Sequence, residues 1–231
     1  MMRPPGSGWR ANRRFRLFES VIVLAVVAFA WFPGLSSLTF HPDESHWIGL
    51  SAPFEAIVAG RFTDPIWQDR QDKATNATVT YYVIGAARRL GGYPPDRLNR
   101  PWRWFASYQA NRAEGRIPEP GLLWWSRAGV TTASIIALWI CFSLLRDAAG
   151  RPAAYAWLAL ALVNPYLRET LRHAMNEGVL LLFIASAAYA TSRALSHLDR
   201  RAGAPGAGIR AAAWLAAGAV AAGLAAQTKL N

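Results

Sequence analysis

The chain has 231 residues, 53% of them hydrophobic and 17% charged, with 25 Lys+Arg against 14 Asp+Glu for a formal charge of +11. A soluble globular chain averages about 25% charged residues, whereas here residues 20–42 contain no ionised side chain at neutral pH. That patterning excludes disorder, collagen and an ordinary soluble domain, and the single Cys141, inside an apolar run, excludes a disulfide framework or a cysteine zinc site. The basic residues fall between the apolar runs rather than along one soluble face, which argues against a nucleic-acid partner.

A bilayer core of about 30 Å needs roughly 20 apolar residues as helix. Five stretches compete for that role: 17–38, 122–145, 152–167, 178–195 and 209–228. The predicted fold is therefore all-α, a polytopic membrane protein with about five transmembrane helices. Residues 1–16 form a basic N-terminus with Arg3, Arg10, Arg13, Arg14 and Arg16. The first run leaves through Trp31-Phe32-Pro33-Gly34, too bulky for a signal-peptide cleavage site, so it reads as an uncleaved anchor. Positive-inside bias puts the N-terminus, 146–151 and 193–210 in the cytoplasm. The long loop 39–121, the junction 164–177 and the C-terminal Lys229-Leu230-Asn231 then lie outside. The Gly/Ala/Pro stretch 202–208 reads as a turn. The expected location is a cell membrane, crossed several times. Only Lys73 and Lys229 are lysines, and arginine preference beside abundant alanine fits a GC-rich bacterial genome, hence a bacterial inner membrane.

The outer loop opens with His41-Pro42-Asp43-Glu44-Ser45-His46-Trp47. Trp47, Leu50, Ser51, Phe54, Ile57 and Val58 recur at helical spacing, with Glu55 opposite. This predicts an amphipathic helix lying in the membrane interface and holding Asp43 and Glu44 at the surface. Two other readings stay open: Asp43 or Ser45 simply caps that helix, or His41, Asp43 and His46 hold a metal. Residues 78–90 predict a further interfacial or partly inserted helix. Asn76-Ala77-Thr78 matches a glycosylation sequon, without meaning in a bacterium. Trp102, Trp104, Phe105, Trp124 and Trp125 read as an interfacial belt rather than a platform for single-stranded bases.

Glu169, His173 and Glu177 are spaced i, i+4, i+8, one face of a continuous helix. Arg168 and Arg172 occupy the neighbouring stripe. A solvated helix end with internal ion pairs competes with a functional cluster, and ionisable groups at membrane depth usually face a cavity or partner. Arg127, near the start of the second run, reads as a snorkelling side chain. Lys229 closes the Ala/Gly-rich fifth run, where it either snorkels or meets an anion.

Taken in order, these pieces resemble the C-type glycosyltransferase (GT-C) superfamily, nearest the protein O-mannosyltransferases and bacterial lipid A aminoarabinose transferases. The resemblance rests on a basic N-terminus and one span followed by Asp43-Glu44, then Val79-Thr80-Tyr81-Tyr82 against that family's "PPLYY" stretch. It also rests on Arg127 opening the second helix, on Arg172-His173-Ala174-Met175-Asn176-Glu177 against "R-x-A-M-x-D/E", and on Gly223 through Lys229 against "G-L-A-x-x-T-K". No His-Pro-Pro precedes Tyr81; Asn76-Ala77-Thr78 stands there instead. Family members are longer, so 17–231 reads as the N-terminal part of such a transmembrane domain.

The resemblance implies an inverting enzyme that moves a hexose or pentose from a polyprenyl-phosphate donor to a protein, lipid or glycan acceptor outside the cytoplasm. It implies Asp43 as general base, with Glu44 or Glu177 orienting the acceptor or helping to hold a metal. Lys229 and Arg172 stabilise the leaving phosphate. His46 and His173 are further acceptor or metal candidates, and a divalent metal stays open as cofactor. The alternatives are a non-catalytic transporter piece or assembly subunit, or an inactive fragment of the enzyme. Transporters place charges near the midplane; here they gather at one interface.

Overall fold

The computed structural model describes residues 7–67, 78–200 and 206–229. In chain order the helices are α1 (Ser7–Trp31), α2 (Pro42–Gly49), α3 (Pro53–Val58), α4 (Thr78–Leu90) and α5 (Tyr108–Ala113), followed by α6 (Pro120–Ala149), α7 (Arg151–Val163), α8 (Pro165–Thr170), α9 (Asn176–Arg200) and α10 (Ala207–Lys229). No strand occurs among the described residues. The sequon residues Asn76 and Ala77, and most of the turn expected at 202–208, lie outside them.

Local chemistry sets the helix ends. α1 stops at Trp31 because Pro33 cannot continue it and Gly34 turns the chain at φ +76°. α6 starts with Pro120 at its first position and stops at Gly150, φ +88°. Asn164 interrupts the expected third span: its side chain accepts from Leu167 N–H at 3.1 Å and starts α8, with Pro165 at the first position.

Three helices are long and apolar enough to cross a membrane: Pro120–Ala149, Asn176–Asp199 and Ala207–Thr228. α1 has the length, but Arg14, Arg16 and Glu19 fall within its last 18 residues. α7 has 13 residues, about 20 Å of helix against a 30 Å core. By length and composition, then, three spans stand where about five were expected.

α6 is the mast of the bundle, packing against α1, α4, α7 and α9, while α10 packs along α9. A Cβ at Gly178 of α9 would sit 2.2 Å from Ser134 Oγ and 2.9 Å from Val130 Cγ1, so glycine is what lets α6 and α9 approach. One core joins Val27 and Trp31 of α1 to Leu138 and Phe142 of α6 and Leu158 of α7. A second joins Trp47 and Ile48 to Tyr81 and Ile84 of α4 and to Val130 and Val179.

The second core corrects the expectation of one amphipathic helix on the head groups. The segment breaks at Ser51, Pro53 opens a new helix, and the apolar face of Trp47 and Ile48 is buried against α4. By contrast Phe29, Val163 and Ile209 are at least 75% exposed, the surface expected where lipid is the solvent. Along α6, residues 128–145 contain no ionised side chain. From Arg127 to Arg146 the helix rises about 28 Å, close to the hydrocarbon thickness of a bilayer.

Candidate functional site

α2 exists because its first turn is satisfied by its own sequence. His41 is the cap: its Nδ1 accepts from Asp43 N–H at 3.2 Å, and its own N–H donates to Glu44 Oε2 at 3.0 Å. Neither Asp43 nor Ser45 caps the helix, which corrects that reading; Ser45 Oγ instead donates to the Arg116 carbonyl.

The same geometry sends the two adjacent carboxylates in different directions. Glu44 is fully buried and accepts four hydrogen bonds, from Arg127 Nε and Nη2 (both 2.7 Å), Ala174 N–H (2.9 Å) and His41 N–H. Arg127, also fully buried, gives its other N–H groups to the carbonyls of Leu35 (2.7 Å), Leu38 (3.1 Å) and Thr39 (3.2 Å). All five guanidinium donors are used. The snorkelling assignment for Arg127 is therefore corrected: it locks the α1 exit, α2, α6 and the α8–α9 junction together. Glu44 has no lone pair left for an acceptor or a metal. Asp43 is half-exposed, with His41 Nδ1 3.5 Å from its carboxylate.

Across the junction, residues 171–175 leave the helix between α8 and α9, so Glu169, His173 and Glu177 do not share one helix face. The ring of His173 folds back between two carbonyls, Nδ1 2.8 Å from Glu169 O and Nε2 3.0 Å from Thr39 O. Both nitrogens are engaged, which removes it as a ready metal ligand. It stands edge-on to His41, centroids 6.2 Å apart. His46 lies against Trp47 instead (6.3 Å). Among the described residues no three His, Cys, Asp or Glu side chains form a metal-sized group.

Arg172 is 4% exposed and donates from Nη2 to the Pro33 carbonyl, while its Nε has no hydrogen-bond partner among the described residues. Burial pulls its guanidinium below the ordinary arginine value, and the positive charges of Arg168 and Arg127 act in the same direction. Glu177, in the first turn of α9, has one buried carboxylate oxygen without a partner among the described residues. Asn176 Nδ2 donates to the Thr228 carbonyl at 3.4 Å, which brings the end of α10 to the start of α9. Lys229 closes that helix; its side chain lies outside the described residues.

No family model, characterised protein or solved structure matches this chain.

The structure thus joins the Asp43–Glu44 turn to the Arg172–Ala174 junction through His41, His173 and Glu44, with the end of α10 beside Asn176. Sequence reasoning missed the Glu44–Arg127 pair. It also missed fully buried Arg88, which reaches Ser51 Oγ (2.8 Å), the Tyr93 carbonyl (2.6 Å) and Glu55, pinning α3 to α4. The available signal was an arginine spaced along an otherwise apolar helix, because such a charge must find a partner.

Proposed function

We propose that the chain is a multi-pass membrane glycosyltransferase that moves a sugar from a polyprenyl-phosphate donor to an acceptor hydroxyl on the extracytoplasmic side. In this reading α1 and α7, with α8, enter the bilayer beside α6, α9 and α10, giving five crossings with the N-terminus in the cytoplasm. Glu19 on α1 is compatible with that depth, because Arg146 and Arg151 (both 3.0 Å) neutralise it and the Tyr155 hydroxyl donates to it (3.1 Å).

One contrast carries the reading. Glu44 is saturated, while its neighbour Asp43 keeps an accessible carboxylate at the same end of the bundle as Arg172, whose Nε has no hydrogen-bond partner among the described residues. A half-exposed acid at the same end of the bundle as a buried positive charge suits displacement at a carbon bonded to phosphate. Asp43 takes the proton from the acceptor hydroxyl as that oxygen bonds to the anomeric carbon. The carbon–oxygen bond to the lipid phosphate breaks on the opposite face, inverting the configuration. The electron pair leaves on the phosphate oxygen, whose charge Arg172 and Lys229 stabilise. His41 and His173 orient the turn, and Glu177 orients the acceptor.

The test uses the purified full chain in vesicles with a panel of polyprenyl-phosphate hexoses and pentoses and added protein, lipid and glycan acceptors. Release of free polyprenyl phosphate coupled to glycosylated acceptor is the expected result. Absence of release with every donor contradicts the proposal.

A further inference from the structure

The opposite end of α6 holds a feature that sugar transfer does not use. A cavity of about 640 Å³ opens between α1, α6 and α9, and its wall includes Arg14, Arg16, Arg146 and Arg193. Asp147 also lines it but is already shared by Arg16 (3.3 Å) and Arg146 (3.4 Å). Arg146 in turn pairs with Glu19. Arg14 and Arg193 have no ion pair among the described residues.

Buried donors around this space are also unmatched. Among the described residues Ser143, 4% exposed, has no partner for its Oγ, and buried Trp139 Nε1 and Arg193 Nε have none either. These four side chains, with donors or positive charge unmatched among the described residues, call for a ligand that supplies negatively charged oxygen.

A narrower space of about 260 Å³ shares Trp139, Ser143 and Tyr189 with that wall and continues between α6, α9 and α10. It is lined by Trp214, Ala217 and Ala221, almost wholly apolar. A polar, cationic mouth leading into a hydrophobic slot between membrane helices has the shape and chemistry of one lipid molecule.

We propose that this crevice binds a phospholipid with an anionic phosphate head group, its phosphate held by Arg14, Arg193 and Ser143 and an acyl chain lying along Trp139, Tyr189 and Trp214. Positive-inside orientation makes this the cytoplasmic leaflet. The inference rests on the membrane reading and not on sugar transfer.

The test measures lipid retention by native mass spectrometry of the full chain, with phosphatidylglycerol, phosphatidylcholine and inorganic phosphate added separately. Phosphatidylglycerol is expected to be retained well above phosphatidylcholine. Removing two cations in Arg14→Ala/Arg193→Ala is expected to weaken it roughly 30-fold, with Ser143→Ala giving a smaller loss and all variants keeping the wild-type melting temperature. Equal retention of the two lipids, or an unchanged double variant, overturns the proposal. So does competition by inorganic phosphate at matching affinity, which marks a site for free anions. A chain that fails to float with vesicles overturns the membrane reading as well, whereas one that floats without lipid preference overturns only this inference.

Discussion

Glu44 and Glu19 are both buried carboxylates tied to arginines of α6, at opposite ends of that helix, yet they are held differently. Glu44 meets one guanidinium whose five donors are all used, and both side chains are fully buried. Glu19 meets two arginines, and one of them, Arg151, is 47% exposed. The first arrangement is a closed latch that fixes loop to bundle. The second is an open neutralisation in which one cation, Arg151, already reaches the surface. The closed latch holds the turn that carries half-exposed Asp43 against the junction that carries buried Arg172. The open end leaves cations facing a crevice of about 640 Å³.

The latch can be broken from either side. Glu44→Ala or Arg127→Ala strands a buried charge and should cost about 3–5 kcal/mol, measured by denaturant unfolding in detergent. Glu44→Leu combined with Arg127→Met should recover most of that loss, since removing both charges leaves neither unpaired. A double variant no better than the singles would show that the carbonyl contacts of Arg127, not its pairing with Glu44, hold the junction.

Glu19→Ala should cost less, about 1–3 kcal/mol, because Arg151 and the end of α6 can snorkel to the interface. The same unfolding measurement checks it, and a loss equal to that of Glu44→Ala would erase the contrast between the two ends.

The smallest effect concerns the outer loop. The Arg116 hydrogen bond, followed by the charge of Arg103, holds the Glu114 carboxylate below the ordinary glutamate range. A depressed folded value means this contact stabilises the loop above that range and is lost as pH falls through the lower folded value. Glu114→Gln should therefore lower the melting temperature slightly at neutral pH and converge with wild type as pH falls through the lower folded value, flattening the acid limb of the profile. A loss of the same size at neutral and at acid pH would point to a packing role instead.

These contrasts also show what a sequence can tell. The second, fourth and fifth apolar runs foretold α6, α9 and α10, because twenty apolar residues in a bilayer have few alternatives to a helix. Residues 78–90 formed the helix their pattern suggested. The pairing of Glu44 with Arg127 was not legible: 83 positions separate the two residues, and no periodicity encodes a partner that far along the chain. The break at 171–175 was also hidden, since i, i+4, i+8 spacing describes a face only if the helix continues. At Asp43 and Glu44 the sequence marked two adjacent carboxylates but could not say which of them faces inward. That depends on His41 capping α2 and turning Glu44 toward Arg127.

The most direct measurement is the transfer rate of purified Asp43→Asn set against its melting temperature. The expected result is a loss of about 100-fold or more in transfer with wild-type melting, because Asp43 supports no buried network. Transfer near the wild-type rate in a folded Asp43→Asn protein would contradict the assignment of Asp43 as the base.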